Sequence, residues 1–213
     1  MIKRILILGL VALIATGAYA GEKGGMAVGT ASTNSITVIP PQDGSIAITA
    51  ANYWQPTSSA TLTKYLADNK SKAQAAISAS TTCVMYCDEG TNGAAPKLDG
   101  RLLTTSDYVI VVDTTASTTT APQLRKISAV GTVTNVVGSD YTSMTLASAV
   151  TTLANAPIYL VPSTKVITQT VTGNKEYAPA FAIGEHRMPL AVTLLTTNPG
   201  TNVQFSCTYE VWK

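Results

Sequence analysis

The sequence predicts a mainly β protein, an antiparallel β-sandwich or barrel-like domain with one amphipathic helix near residues 59–78. Long stretches consist of Thr, Ser, Ala, Val and Gly, and short apolar runs are bounded by turn residues. In segment 203–211 every second residue is apolar, the two-residue period of a strand with one buried face. Before it, Pro199 and Gly200 fit positions of a type II turn.

Residues 1–20 have the organisation of a secretory signal peptide. A basic start with Lys3 and Arg4 precedes the apolar run Ile5–Ile14, and Ala18-Tyr19-Ala20 presents small residues at the spacing that a signal peptidase accepts. The run is too short to cross a hydrocarbon layer about 30 Å thick as a helix. We expect a secreted, cell-surface or periplasmic protein with no stable membrane span after cleavage. The alternative is a retained N-terminal anchor or arm.

Residues 21–100 are expected to form an N-terminal β segment with a helix and a loop, followed by an antiparallel β domain over residues 101–213. The first two predicted strands are Ile36–Ile39 and Ile46–Thr49. A Pro-Pro-Gln-Asp-Gly turn separates them.

The segment Ser59–Ser78 departs from the β pattern. Ser58 or Ser59 is a suitable N-cap, and Lys64, Asp68 and Lys72 form a ladder of opposite charges four residues apart. The apolar residues at helical spacing are Leu62, Tyr65, Leu66, Ala73, Ala76 and Ile77. This spacing predicts one amphipathic helix.

A connection rich in Gly and Asp follows at residues 88–100. Asp88, Glu89, Asn92 and Asp99 carry side-chain oxygens, the ligands that Ca²⁺ prefers. Their spacing matches no defined Ca²⁺ loop, so the alternative is a solvated connection.

The C-terminal half contains the most strand candidates. The continuous apolar run Tyr108–Val112 predicts a central strand covered on both faces. The further predicted strands are Leu124–Val130, Thr132–Val137, Tyr141–Leu146, Ile158–Val161, Lys165–Val171, Ala180–Ile183, Leu190–Thr196 and Val203–Trp212.

Three cysteines leave two interpretations open. On a strand, Cys83 and Cys87 would lie about 13 Å apart, too far for a bridge. One interpretation is a disulfide between Cys207 and one of these residues, and the other is three buried reduced thiols. No structural zinc site is expected from three Cys and one His.

Removal of the signal would leave no net charge. Lys3 and Arg4 leave with it, so 12 of the 14 basic residues remain beside 12 acidic residues. The basic runs Lys70-Ser71-Lys72 and Arg125-Lys126 are too short to indicate a nucleic-acid partner. Charged residues make up 12% of the chain, against about a quarter in typical proteins. Such a surface favours burial against neighbouring subunits.

Catalytic patterns are incomplete. His186 is the only histidine, and no Gly-x-Ser-x-Gly motif accompanies it. Asp113 follows two apolar residues as in aspartic proteases, but Thr115 stands where that pattern needs Gly, and the chain has no second such Asp. We therefore predict no enzyme and no cofactor.

Aromatic residues offer one candidate ligand site. Tyr53 and Trp54 lie next to amide side chains, and Trp212 lies near the C-terminus. Exposed aromatic rings of this kind stack against sugar rings. The alternative places Trp54 at the edge of the core and Trp212 in a subunit contact.

These observations predict an exported, non-enzymatic structural protein that assembles with itself or with other surface subunits. The composition of the mature chain, rich in Thr, Ala and Val, resembles that of virion surface proteins and of bacterial surface-layer or filament subunits. This resemblance carries no residue-level motif. The alternative is a secreted carbohydrate-binding or adhesin module with a glycan partner.

Overall fold

In a computed structural model, the described part of the chain is almost entirely antiparallel β-sheet. The described residues are 23–29, 35–39, 45–54, 59–88, 91–112, 122–136, 138–172, 175–177, 190–197 and 204–212. They contain sixteen strands and one short 3₁₀ turn, Ser163–Lys165. The mainly β, antiparallel prediction is therefore confirmed. Within these residues no helix has the length and apolar character needed to cross a membrane.

The strands, numbered in chain order, form three larger sheets and a small hairpin. In spatial order the first sheet consists of β1 Lys23–Gly29, β16 Gln204–Trp212, β3 Ser45–Trp54 and β14 Lys175–Tyr177. The second consists of β13 Val166–Thr172, β4 Ser59–Ala67, β15 Ala191–Thr197 and β2 Ser35–Val38. The third consists of β5 Asn69–Lys72, β12 Pro157–Val161, β9 Tyr108–Val111, β10 Gln123–Val136, β11 Ser139–Thr152 and β6 Ile77–Tyr86. The hairpin consists of β7 Lys97–Leu98 and β8 Arg101–Leu102.

The six-stranded sheet curls until its two end strands approach each other. Next to β5, Ala73 forms an isolated antiparallel bridge with Met85 of β6. The amide of Gln74 also donates a hydrogen bond to the carbonyl of Val84 at 2.9 Å. No continuous ladder joins β5 to β6 among the described strands, so the barrel is not closed.

Strands β9 and β12 are buried on both faces, as expected for the run at residues 108–112. Val109 and Val111 belong to one hydrophobic cluster, whereas Ile110 between them belongs to another. The first cluster lies within the curled sheet and includes Cys83, Met85, Val109, Val111, Ile127, Met144, Leu146, Val150, Ile158 and Leu160. The second joins this sheet to β4 and β15 and consists of Tyr65, Ala67, Ile110, Tyr159, Val161 and Ala191.

The six-stranded sheet is an insertion between two paired strands. The chain leaves the second sheet at the end of β4 and returns to it at β13, which pairs with β4 from Val166↔Tyr65 to Thr172↔Ser59. Pairing also crosses residue 100, because β6 pairs with β11. Whether residues 21–100 and 101–213 fold separately stays a prediction.

The predicted helix over residues 59–78 is wrong, because this segment forms β4, β5 and the start of β6. The five consecutive residues 63–67 are all buried, as on a central strand covered on both faces, whereas an amphipathic helix would expose part of them. β4 pairs with β13 on one side and β15 on the other. These distant pairings outweigh the local helical spacing.

Most predicted strands are present, with two changes in arrangement. The segments 124–130 and 132–137 merge into β10, which pairs with β11 through two register shifts. The segments 190–196 and 203–212 form β15 and β16, but these strands lie in different sheets. The predicted strand Ala180–Ile183 and the signal peptide at residues 1–20 lie outside the described residues.

Candidate functional site

An open groove of about 470 Å³ lies where the end strands of the curled sheet approach each other. Its lining residues come from β5, the end of β6, β7 and the start of β12. They are Lys70, Ser71, Lys72, Tyr86, Cys87, Asp88, Leu98, Asn155 and Pro157. The volume falls within the range of about 300–1,000 Å³ that small-molecule sites occupy.

The aromatic ring in this groove is engaged by other side chains. The Nζ atom of Lys72 lies 4.5 Å from the centroid of the Tyr86 ring, within the range of a cation–π contact. The rings of Tyr86 and Tyr141 have centroids 4.6 Å apart and are tilted by 48°. Because these neighbours occupy Tyr86, a sugar would have to displace Lys72 in order to stack on the ring.

The thiol in the groove is poorly suited to nucleophilic chemistry. Burial raises the pKa of Cys87, and the carboxylates of Asp140 and Asp88 raise it further. The thiol is therefore protonated at neutral pH, whereas a nucleophilic cysteine needs a lowered pKa. Asp88 has a structural contact, because its Oδ2 atom accepts a hydrogen bond from the amide of Gly100 at 3.1 Å.

The structure describes three of the four residues predicted to bind Ca²⁺. Asp88 lies in the groove, and Asp99 lies in the β7–β8 turn with a φ of 52°. Asn92 lies in an exposed turn, and Glu89 is outside the described residues. Within the described ranges, no three His, Cys, Asp or Glu side chains form a group that could hold a metal ion. A site completed by Glu89 stays a prediction.

A buried carboxylate, Asp107, organises a second polar cluster. Its Oδ1 atom accepts hydrogen bonds from Arg101 Nη2 at 2.6 Å and from the Ser163 amide at 3.0 Å. Its Oδ2 atom accepts bonds from the amide and the hydroxyl of Thr104 at 2.9 and 3.0 Å. Burial alone would raise the pKa of Asp107, but these bonds outweigh it and lower the pKa. The carboxylate ties β8 and the turn before β9 to the turn before β13.

Asp68, between β4 and β5, differs from Asp107 in its bonding. Burial raises the pKa of Asp68, although the positive charge of Arg101 acts in the opposite direction. In the described structure, Asp68 Oδ1 and Arg101 Nη1 are buried without a hydrogen-bond partner. The sequence did not predict this cluster. Its one local signal is the turn from Thr104 to Asp107, whereas Asp68 and Ser163 come from distant parts of the chain.

The predicted aromatic site is divided by the strand register. Trp54 of β3 lies opposite Gln204, whereas Trp212 lies opposite Ser45 at the other end of the same pair of strands. At about 3.4 Å per residue, these ends are about 27 Å apart. One sugar-binding site therefore cannot combine Trp54 with Trp212. A site at Tyr53 and Trp54, or one at Trp212, stays a prediction.

Cys83 and Cys87 are free thiols, so the predicted bridge from either residue to Cys207 is absent from the structure. Cys83 is fully buried in the core of the curled sheet, and burial raises its pKa to about 12. Cys207 lies in a different sheet, in register with Ala27 and Ala51. His186 and Asp113 lie outside the described residues.

Comparison with known proteins leaves the family unassigned. No family model and no curated protein match the chain. Weak similarities connect it to structures of the Gt and Gx strains of infectious bursal disease virus and to the VP2 subviral particle of that virus. The identities are 8%, 9% and 10%, and the TM-scores are 0.13, 0.14 and 0.14. The alignments cover 90%, 90% and 91% of this chain but 41%, 43% and 43% of the viral chains. Scores this low carry no argument about function.

Proposed function

We propose that this protein is an exported, non-enzymatic structural subunit of an extracellular, cell-surface or virion assembly. The observation that carries the proposal is β13, an end strand among the described strands, whose seven residues include no charge, no Pro and no Gly. Its register against β4 is continuous, without a bulge. Monomeric proteins usually protect such edges with charges, Pro, bulges or short strands. Assembly would cover this edge.

The other five end strands of the described sheets each carry a protection that β13 lacks. In β6, which is also uncharged, the register against β11 shifts and Met85 forms a bridge with Ala73. β1 begins with Lys23 and contains three Gly residues, and β5 carries Lys70 and Lys72. The strands β2 and β14 have only four and three residues. These are the features that discourage pairing between sheet edges. β13 lacks all of them.

Composition supports the same proposal. The chain after residue 20 has equal numbers of acidic and basic residues, and charged residues are sparse throughout. A net charge near zero promotes association, because like-charge repulsion between copies is weak.

Cross-linking mass spectrometry tests this function. Cells are grown first in ¹⁴N and then in ¹⁵N medium, so that each cell produces both forms, and the exported protein is cross-linked and digested. We expect links between peptides of different isotopic label, because neighbouring subunits lie within reach of the reagent. Links confined to peptides of one label, at concentrations at which the protein functions, would contradict the proposal.

A glycan-binding module is the second candidate, and the groove of about 470 Å³ favours it. Lys72 lies in the groove and gives an acidic sugar an ionic partner there. A glycan screen should then select uronic or sialic acids, and Lys72→Ala should weaken their binding. Equal binding by the Lys126→Ala control is expected, because Lys126 is exposed outside the groove. Loss of binding in both variants, or in neither, would contradict a site in the groove.

A further inference from the structure

The sequence of β13 is almost the same in both directions. From Ile167 to Val171 it reads Ile-Thr-Gln-Thr-Val, so reversal about Gln169 changes only the order of Ile and Val. If two such strands pair antiparallel about Gln169, Thr168 lies opposite Thr170, and Ile167 lies opposite Val171. Pairs of Thr and pairs of β-branched residues are favourable across an antiparallel sheet.

We propose that β13 pairs antiparallel with β13 of a second copy, about a two-fold axis through Gln169. The pairing joins two four-stranded sheets into one sheet of eight strands. A two-fold interface uses the same surface on both subunits and therefore requires a self-complementary strand. The proposal rests on the proposed assembly function and specifies one of its contacts.

The surroundings of β13 fit this partner. Ile167 is 41% exposed, one of four exposed large hydrophobic side chains in the described structure. Val166 packs against the core cluster, and Thr168 lies with its hydroxyl 3.4 Å from that of Thr63 on β4. Ile167 therefore points to the opposite face, because successive side chains of a strand alternate. A Val171 from the second copy would cover part of its exposed surface.

No charge within β13 opposes this register. Val166–Thr172 contains no charged residue, so no like charges face each other across the paired strands.

Substitution of Gln169 tests the proposal in the exported protein. Gln169→Lys puts two positive charges opposite each other at the axis, so the dissociation constant of the pair should rise at least about tenfold. The matched control is Thr134→Lys, which adds the same charge to an exposed position on β10 and should leave association unchanged. Sedimentation velocity over a concentration series measures both effects.

A second variant of opposite charge distinguishes repulsion between the two copies of β13 from unfolding of the variant. Gln169→Glu alone should also weaken association, but an equimolar mixture of Gln169→Lys and Gln169→Glu chains should restore it. Association of Gln169→Lys equal to that of Thr134→Lys would overturn the β13 contact while leaving the assembly function intact. Failure of the mixture to associate would also overturn it, and a monomeric wild-type protein would overturn both proposals.

Discussion

The buried carboxylate of Asp107 shows how a single charge holds separate turns together. Solvent does not reach its side chain, and hydrogen bonds from Arg101, Thr104 and Ser163 lower its pKa. A carboxylate with a lowered pKa stabilises the folded protein above the pKa of the unfolded chain. This contribution is lost as the pH falls through the pKa of the folded protein.

Asp107→Asn should therefore destabilise the protein by about 3 kcal/mol at pH 7, because Arg101 would lose its buried partner. The difference from wild type should shrink as the pH falls through the lowered pKa of Asp107. Asp68→Asn is the matched comparison. Since burial raises the pKa of Asp68, removing its charge should leave stability at pH 7 unchanged or increased. Urea unfolding of the three proteins at several pH values measures these effects, and equal loss in both variants would contradict the account.

The charged cluster could not be recognised from the sequence. Arg101 and Asp107 are six residues apart, a spacing with no meaning in a regular strand or helix. Ser163 joins them only because the turn before β13 returns beside the turn before β9. In contrast, the burial of both faces of β9 was predictable from the sequence. In a continuous apolar run, neither face of the strand carries polar side chains that could face solvent.

Among the strands, the β10–β11 pair depends on a close approach at one glycine. A Cβ atom at Gly131 would lie 2.9 Å from the carbonyl oxygen of Ser143. Real Cβ atoms essentially never approach another atom this closely. Gly131 lies between Val130 and Val133, where the register of the two strands shifts. A glycine at such an irregular position lets the two backbones approach.

Gly131→Ala should accordingly destabilise the protein by about 1–3 kcal/mol, because the backbone of β11 must move to accept the methyl group. Thr134→Ala on the same strand is the control and should change stability by no more than about 0.5 kcal/mol, since its side chain is exposed. Thermal or urea unfolding compares the two. Equal stability of both variants would show that the approach at Gly131 is not tight.

Local patterns predicted some elements and failed for others, for identifiable reasons. The helix expected near residues 59–78 was wrong because Leu62, Tyr65 and Leu66 have helical spacing on a strand that is buried on both faces. The connection at residues 88–100 conceals a tight hairpin. Asp99 and Gly100 both have positive φ, as a type I′ hairpin turn requires, and this Asp-Gly pair was a usable signal.

At the scale of the whole molecule, the sequence predicted the class of fold but not its connections. Antiparallel β structure follows from composition and alternation. The insertion of a curled sheet between β4 and β13 depends on pairing between residues about a hundred positions apart, which no local pattern specifies. The groove arises from the same folding, because it joins residues of β5, β6 and β12.

Export makes a prediction about the first residues. Protein purified from its native source should begin at or near Gly21, because Ala18-Tyr19-Ala20 has the small residues that signal cleavage requires. Mass spectrometry of the intact protein and of its N-terminal peptide measures this. If the functional protein retains Met1, residues 1–20 are an anchor or an assembly arm and not a cleaved signal.

The most direct test of the central claim is the mass of the processed protein in solution. Size-exclusion chromatography with light scattering, from low to high micromolar concentration, gives this mass without a label or a cross-linker. We expect a defined oligomer with a mass that is a whole multiple of the chain mass, because the uncharged edge of β13 is covered by association. A single monomeric species over the whole concentration range would contradict the claim.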